Sequence, residues 1–277
     1  MKNNMKMRVI TGAALILLLA LAIWLGGWVE KVILVAALGV AQYEMMRAVR
    51  ERGHQNVRWP IWAATVLSIP IFLLWDNQLL LPLVVATALI TTAYVLFHGE
   101  PHLDDIFVSL MPLFTVALPG MCLLAQTNAP YRWLQVMLVS ASFLIPNMGD
   151  MFALFVGSRF GKRKLIPAVS PNKTVAGAVG GLLGSEVTAL LVWLLVYAFT
   201  DAAVHALMPP LWHFALLGIV GGVVGQIGDL FASLVKRHCG IKDYGTIFPG
   251  HGGMMDRLDS TLPVAVLLFL YQLLMKW

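Results

Sequence analysis

The chain has 277 residues, of which 59% are hydrophobic and only 12% charged, against about 25% charged in soluble domains, so an ordinary water-soluble globule is excluded and an integral membrane protein is indicated. The formal net charge of +5 does not point to nucleic acid, because the basic residues cluster in short segments between apolar runs, which is the pattern of membrane topology. The two cysteines, Cys122 and Cys239, offer neither a disulfide framework nor zinc-ligand spacing.

At about 20 apolar residues per span, the sequence predicts nine transmembrane helices, over residues 9–25, 28–48, 60–75, 79–97, 104–125, 133–157, 174–199, 211–235 and 259–275. The expected fold is therefore all-α and polytopic. The first run has basic residues before it and Ala20-Leu21-Ala22 inside it. It is read as a span rather than a cleavable signal, since a mature start at Ile23 would leave no polar segment before the next span. Of the 19 lysines and arginines, only Lys31, Arg132 and Lys276 fall outside when the N-terminus is cytoplasmic, and the positive-inside rule favours that orientation. The loops at 158–173 and 236–258 then face the cytosol. Residues 1–130 read as N-terminal helices, a scaffold or lipid-facing wall, and residues 131–277 as the region that carries the chemistry.

In the second span, Gln42, Tyr43 and Glu44 lie near the inner end, where Glu44 is expected to snorkel to the interface. Spans three to five carry few ionisable groups, and Pro70, Pro82, Pro112 and Pro119 are expected to kink or end them. Asp150 precedes Ser158 by eight residues in the sixth span, and Asp229 precedes Lys236 by seven in the eighth. At 1.5 Å per residue, both acids sit roughly 10–12 Å below the inner helix ends. Acids at that depth are costly and mark functional sites by default. Gly180 and Gly184 form a GxxxG pattern in the seventh span, as do Gly218/Gly222 and Gly221/Gly225 in the eighth. Such spacing permits close backbone approach and is expected to bring Lys173 and Thr174 toward Asp229.

The densest chemistry lies in the segment SLVKRHCGIKDYGTIFPGHGGMMDRLD, residues 233–259. Lys236, Arg237, Lys242 and Arg257 offer positive charge suited to phosphate oxygens. Pro249-Gly250-His251-Gly252-Gly253 reads as a tight turn whose backbone N–H groups can approach an anion. Asp256 and Asp259, at i and i+3, share a helix face and suit a hard cation such as Mg²⁺.

Ser233, Lys236-Arg237, Lys242-Asp243, Gly245, Pro249, His251-Gly252-Gly253, Asp256-Arg257 and Asp259 resemble, in identity and spacing, the signature of the phosphatidate cytidylyltransferase (CDP-diacylglycerol synthase) family. A second block supports the resemblance: Asp150 leads through a Gly- and Arg/Lys-rich loop to Ser170, Pro171, Lys173, Thr174 and Gly177. Asn172 stands where the family usually has lysine, and Ala176 where it usually has glutamate. Glu186, ten residues further on, is expected to lie too deep to substitute.

The resemblance covers roughly residues 147–260. It implies transfer of the cytidylyl group of CTP to phosphatidic acid in phospholipid biosynthesis, with Mg²⁺ as cofactor, alone or with a second cation. Asp229 and Asp256 are the expected metal ligands, with Asp150 and Asp259 behind them. Lys236, Arg237 and Arg257 are expected in the catalytic set. His251 is placed there too, although a turn-forming role suits it equally. Ser170, Lys173, Thr174, Lys242, Gly252 and Gly253 are the expected substrate contacts. A multi-pass location in the cell membrane follows, the inner membrane in a bacterium, with the site facing the cytosol. The partners are CTP, phosphatidic acid and membrane lipids, with a homodimer left open. The expected cavity is lined by spans six to nine and open to both cytosol and lipid. Two rival readings remain: nucleotidyl or phosphoryl transfer to another lipid such as a polyprenol, and a transporter. Against the transporter stand the absence of an internal repeat and the concentration of polar residues at one end of the spans.

Overall fold

The computed structural model describes residues 14, 17–51, 57–74, 79–98, 100–248, 250 and 252–276. Of the expected first span, residues 9–13, 15 and 16 lie outside the described residues, and 17–25 are helical. The chain continues through helices α1 (Gly27–Glu51), α2 (Trp59–Leu74), α3 (Leu80–Phe97) and α4 (Leu103–Pro112), a π-helical turn (Leu113–Ala117) and α5 (Leu118–Gln126). After these come α6 (Arg132–Phe160), strands β1 (Lys164–Ile166) and β2 (Ser170–Thr174), α7 (Val175–Ala198) and the short α8 (Ala202–His205). The long α9 (Leu211–His238), α10 (Met255–Leu258) and α11 (Thr261–Leu274) complete the described elements.

Among the described residues, six helices are long and apolar enough to cross a membrane, and Trp59–Ile71 and Thr261–Leu274 are shorter apolar helices. Leu81, Leu89 and Phe97 on α3 and Leu154 and Phe155 on α6 are exposed. An apolar outer surface of this kind suits hydrocarbon rather than water. Pro112 does not end its helix. Proline has no N–H to donate and its ring crowds the preceding turn, and the wider π turn that follows carries the helix on into α5.

The loop expected at 158–173 is more ordered than its charge suggested. Helix α6 runs on through Phe160, and β1 and β2 pair antiparallel with Lys164 opposite Thr174 and Ile166 opposite Ser170. Pro167 opens the intervening turn, which Val169 closes by donating its N–H to the Ile166 carbonyl at 3.2 Å. Among the described residues the apolar spans are helical, and the paired strands β1 and β2 are confined to this polar connection.

The chain divides into two compact units, residues 1–128 with 236–258 and residues 129–235 with 259–277. In the first, Thr65 Oγ1 on α2 donates to Gln42 Oε1 on α1 at 2.9 Å, and the Val57 N–H donates to Ser109 Oγ on α4 at 3.0 Å. Residues 236–258 of the segment with the densest chemistry pack in this unit, with the N-terminal helices.

The second unit is built around Leu134, Met137, Leu138, Ile145, Val192, Phe214 and Leu268, contributed by α6, α7, α9 and α11. Its helices approach closely through glycine. A methyl carbon at Gly184 would lie 2.5 Å from Phe152 Cβ, and one at Gly180 2.5 Å from Val156 Cβ. Ser185 Oγ on α7 donates to the Ile145 carbonyl on α6 at 3.0 Å. On the α9 side, a methyl at Gly218 would lie 2.6 Å from Glu186 Cα. The GxxxG spacing therefore serves helix packing. Because Phe152 Cβ is fixed to the backbone, Gly184→Leu must part α6 from α7. A loss of at least about 1–3 kcal/mol is expected, seen as a lower thermal midpoint in detergent; an unchanged midpoint would contradict the packing.

Candidate active site

In the first unit the site is assembled around Asp256, in the first turn of α10. Its side chain is nearly fully buried and its oxygens are occupied. Oδ1 accepts from Lys236 Nζ at 2.8 Å, while Oδ2 accepts the Tyr244 N–H at 2.8 Å and the Gly253 N–H at 2.9 Å. Charged hydrogen bonds of this length are among the stronger kind. Lys236 belongs to the basic last turn of α9 with Arg237 and His238, a placement favoured by the negative end of the helix dipole. Its ammonium also stands 5.4 Å from the Tyr244 ring centroid, within cation–π range. Tyr244 is fully buried.

The turn expected at 249–253 falls partly on residues outside those described. Phe248 and Gly252 are bridged, with the Phe248 N–H donating to the Gly252 carbonyl at 3.0 Å. Gly250 and Gly252 adopt φ of +78° and +81°, a region that side chains disfavour. His251, expected in the catalytic set, and Pro249 lie outside the described residues. Gly253 has a duty other than the one expected of it. Its N–H is donated to Asp256 Oδ2 inside the protein rather than turned toward a bound anion. Arg237 and Lys242 are exposed, as suits groups that receive a soluble anion. Arg257 is partly buried, and its Nε has no hydrogen-bond partner among the described residues.

Two side chains of α1 complete this cluster. Glu44 was expected to snorkel, but it is only 2% exposed, and its Oε2 accepts the Met255 N–H at 2.9 Å. The snorkelling expectation is overturned because a loop remote in sequence covers the carboxylate and supplies its donor. One turn along, Arg47 Nη2 donates to the Tyr244 carbonyl at 3.2 Å. Tyr244 was not singled out from sequence, and Arg47 counted only toward topology. The available signal was Glu44 and Arg47 at i, i+3, a polar pair on one face of an apolar span.

In the second unit, Lys173 Nζ pairs with Asp229 Oδ2, with the side chains 27% and 21% exposed. Thr174 Oγ1 caps α7 by accepting the Gly177 N–H at 3.1 Å. Lys173 thus stands at the positive end of a long helix. Ser170 begins β2, on the same short strand.

Asp150 and Asp229 occupy helices that meet α7 at one level. Gly149 and Gln226 both pack on Gly181, and Gln226 Nε2 donates to the Ala178 carbonyl at 3.0 Å. Asp259 is buried, and its Oδ1 accepts the Ser260 N–H at 2.8 Å. Its carbonyl lies 2.5 Å from where a methyl at Gly228 would stand, so only glycine lets α9 pass there, one residue before Asp229. Glu186 packs at Gly218, eleven residues before Asp229, or roughly 16 Å along the helix. It is too deep to replace the glutamate absent at Ala176.

No group of three or more His, Cys, Asp or Glu able to hold a metal occurs among the described residues. Mg²⁺ nonetheless suits this donor set. It keeps most of its waters and binds through one or two carboxylates plus substrate phosphates. Asp229 and Asp256 are hard oxygen donors, each already facing a cation in the form of a lysine ammonium.

The family model described as "Cytidylyltransferase family" matches residues 6–275. A phosphatidate cytidylyltransferase of Staphylococcus saprophyticus is 36% identical over 195 residues, 70% of this chain and 70% of that protein. One of Staphylococcus epidermidis is 44% identical over 127 residues, 46% of this chain and 45% of that protein. One of Brucella abortus is 31% identical over 274 residues, 97% of this chain and 93% of that protein.

Proposed function

Because the chain belongs to the cytidylyltransferase family along nearly its whole length, we propose that it transfers the cytidylyl group of CTP to phosphatidic acid, releasing pyrophosphate. The observation that carries this reading is the match, over 97% of the chain, to a relative named for that reaction. A phosphate oxygen of phosphatidic acid attacks the α-phosphorus of CTP. The bond from that phosphorus to the oxygen bridging to the β-phosphate breaks, and the electron pair leaves with pyrophosphate. No covalent enzyme intermediate is needed, so the protein's work is positioning and neutralisation of charge.

Lys236, Arg257 and Lys173, the last with the capped end of α7, are each proposed to hold phosphate oxygens, as the family resemblance implies for them. The exposed Arg237 and Lys242 draw CTP in. Asp256 holds Lys236 in place, and Asp229 does the same for Lys173. Asp229 and Asp256 are each proposed as a carboxylate ligand of Mg²⁺, which when bound would screen the phosphates and stabilise the leaving group.

CTP must reach the site from water, since even one charge at the bilayer centre costs at least about 2.5–3.5 kcal/mol. The charge distribution supports a site on the cytosolic face. Purified protein should be reconstituted in vesicles containing phosphatidic acid and sorted by orientation, with CTP added outside. CDP-diacylglycerol is expected only where the Lys242 side faces out. Product from a polyprenyl phosphate in its place, or from the opposite orientation alone, would overturn the corresponding part of the proposal.

A further inference from the structure

Glu44 is 211 positions before Met255, yet it touches the loop that shapes Asp256. Helix α1 grips that loop at two points. Arg47 Nη2 holds the Tyr244 carbonyl at 3.2 Å, and Glu44 Oε2 takes the Met255 N–H, the first of α10, at 2.9 Å. Between these points the loop folds back onto the same carboxylate. A methyl group at Gly245 or Gly253 would overlap the Glu44 carboxylate oxygens, and at Gly253 the three nearest atoms all belong to Glu44. On its other side, the Gly253 N–H goes to Asp256 Oδ2, which also takes the Tyr244 N–H. The loop's donors are therefore divided between two buried carboxylates, one at Met255 and the other at Tyr244 and Gly253.

We propose that Glu44 is a positioning residue for the transfer reaction: by fixing the Met255 N–H and filling the space beside Gly245 and Gly253, it sets where Asp256, and through it Lys236, is held. The inference rests on the proposed reaction for its kinetic readout. It also explains why residues 245 and 253 are glycine. Neither has a positive φ, so backbone conformation does not require glycine there, and contact with Glu44 does.

The test is a set of variants in purified protein, Glu44→Ala, Glu44→Gln, Gly253→Ala and Glu44→Ala/Gly253→Ala, compared by steady-state kinetics and by hydrogen exchange over residues 244–256. Glu44→Ala is expected to lower kcat by about tenfold to a hundredfold, the scale of a small misplacement of reacting groups, while the KM for CTP changes less than about threefold. Glu44→Gln keeps an acceptor oxygen for Met255 and should restore most of kcat. Gly253→Ala should lower kcat alone but add little to Glu44→Ala, because removing the carboxylate makes room for the methyl. Exchange over 244–256 should speed up in Glu44→Ala and stay near wild type in Glu44→Gln. An unchanged kcat in Glu44→Ala, or full additivity of the double variant, would overturn the inference. An inactive wild type would instead refute the proposed reaction, and the exchange data would still decide the role of Glu44, since unchanged protection in Glu44→Ala refutes it.

Discussion

Asp256→Asn is expected to lower turnover by more than about a hundredfold in protein that is still inserted and folded. The carboxylate receives three donors, Lys236 Nζ and the N–H groups of Tyr244 and Gly253. An asparagine offers one acceptor oxygen and turns an NH₂ toward a donor, whichever way it is placed. At least one buried donor then loses its partner, at about 1–3 kcal/mol, and Lys236 loses its counter-charge. Removing a single preorganised electrostatic group commonly costs about 10²–10³ in kcat, and here Asp256 and the aim of Lys236 are lost together. Initial rates with Mg²⁺, with size exclusion to establish folding, are the check. Near-normal turnover would remove Asp256 from the site.

Lys173→Met is expected to produce a different signature: a fall in kcat/KM for CTP of about a hundredfold with little change in thermal stability. The Lys173–Asp229 pair is partly exposed on both sides, so water reaches both charges and screens what the pair contributes to folding. Thr174 still caps α7, and the hairpin backbone does not depend on the ammonium. What disappears is a cation at the positive end of a 24-residue helix, placed to meet phosphate oxygens. A large drop in thermal midpoint with unchanged kcat/KM would show that the pair holds the fold and not the nucleotide.

The helices were legible because apolar runs of spanning length leave few alternatives, and the bounds of α1, α3, α6 and α9 fall close to those read from composition. The glycine pattern also carried real information, since a GxxxG face can do little but admit another backbone, and Lys173 does reach Asp229. The hairpin at 164–174 was hidden by its charge. Lys164, Ser170 and Lys173 form strands only because a turn at Pro167 folds them onto each other. Glu44 was the largest miss. Its span shows a carboxylate near an apolar helix end, which ordinarily means snorkelling. The donor that buries it comes from Met255, 211 positions away, and no local pattern announces such a pairing. Gly245 and Gly253 were visible as glycines, but what they make room for was not.

The measurement that bears most directly on the proposed reaction follows the phosphorus of CTP. Purified wild-type protein is given phosphatidic acid, Mg²⁺ and CTP labelled at either the α- or the γ-phosphate, and lipid and water-soluble products are separated. Cytidylyl transfer predicts that the α-label enters the lipid and the γ-label leaves wholly as pyrophosphate, in equal amounts. The γ-label appearing in the lipid would identify a phosphoryl transferase and contradict the account.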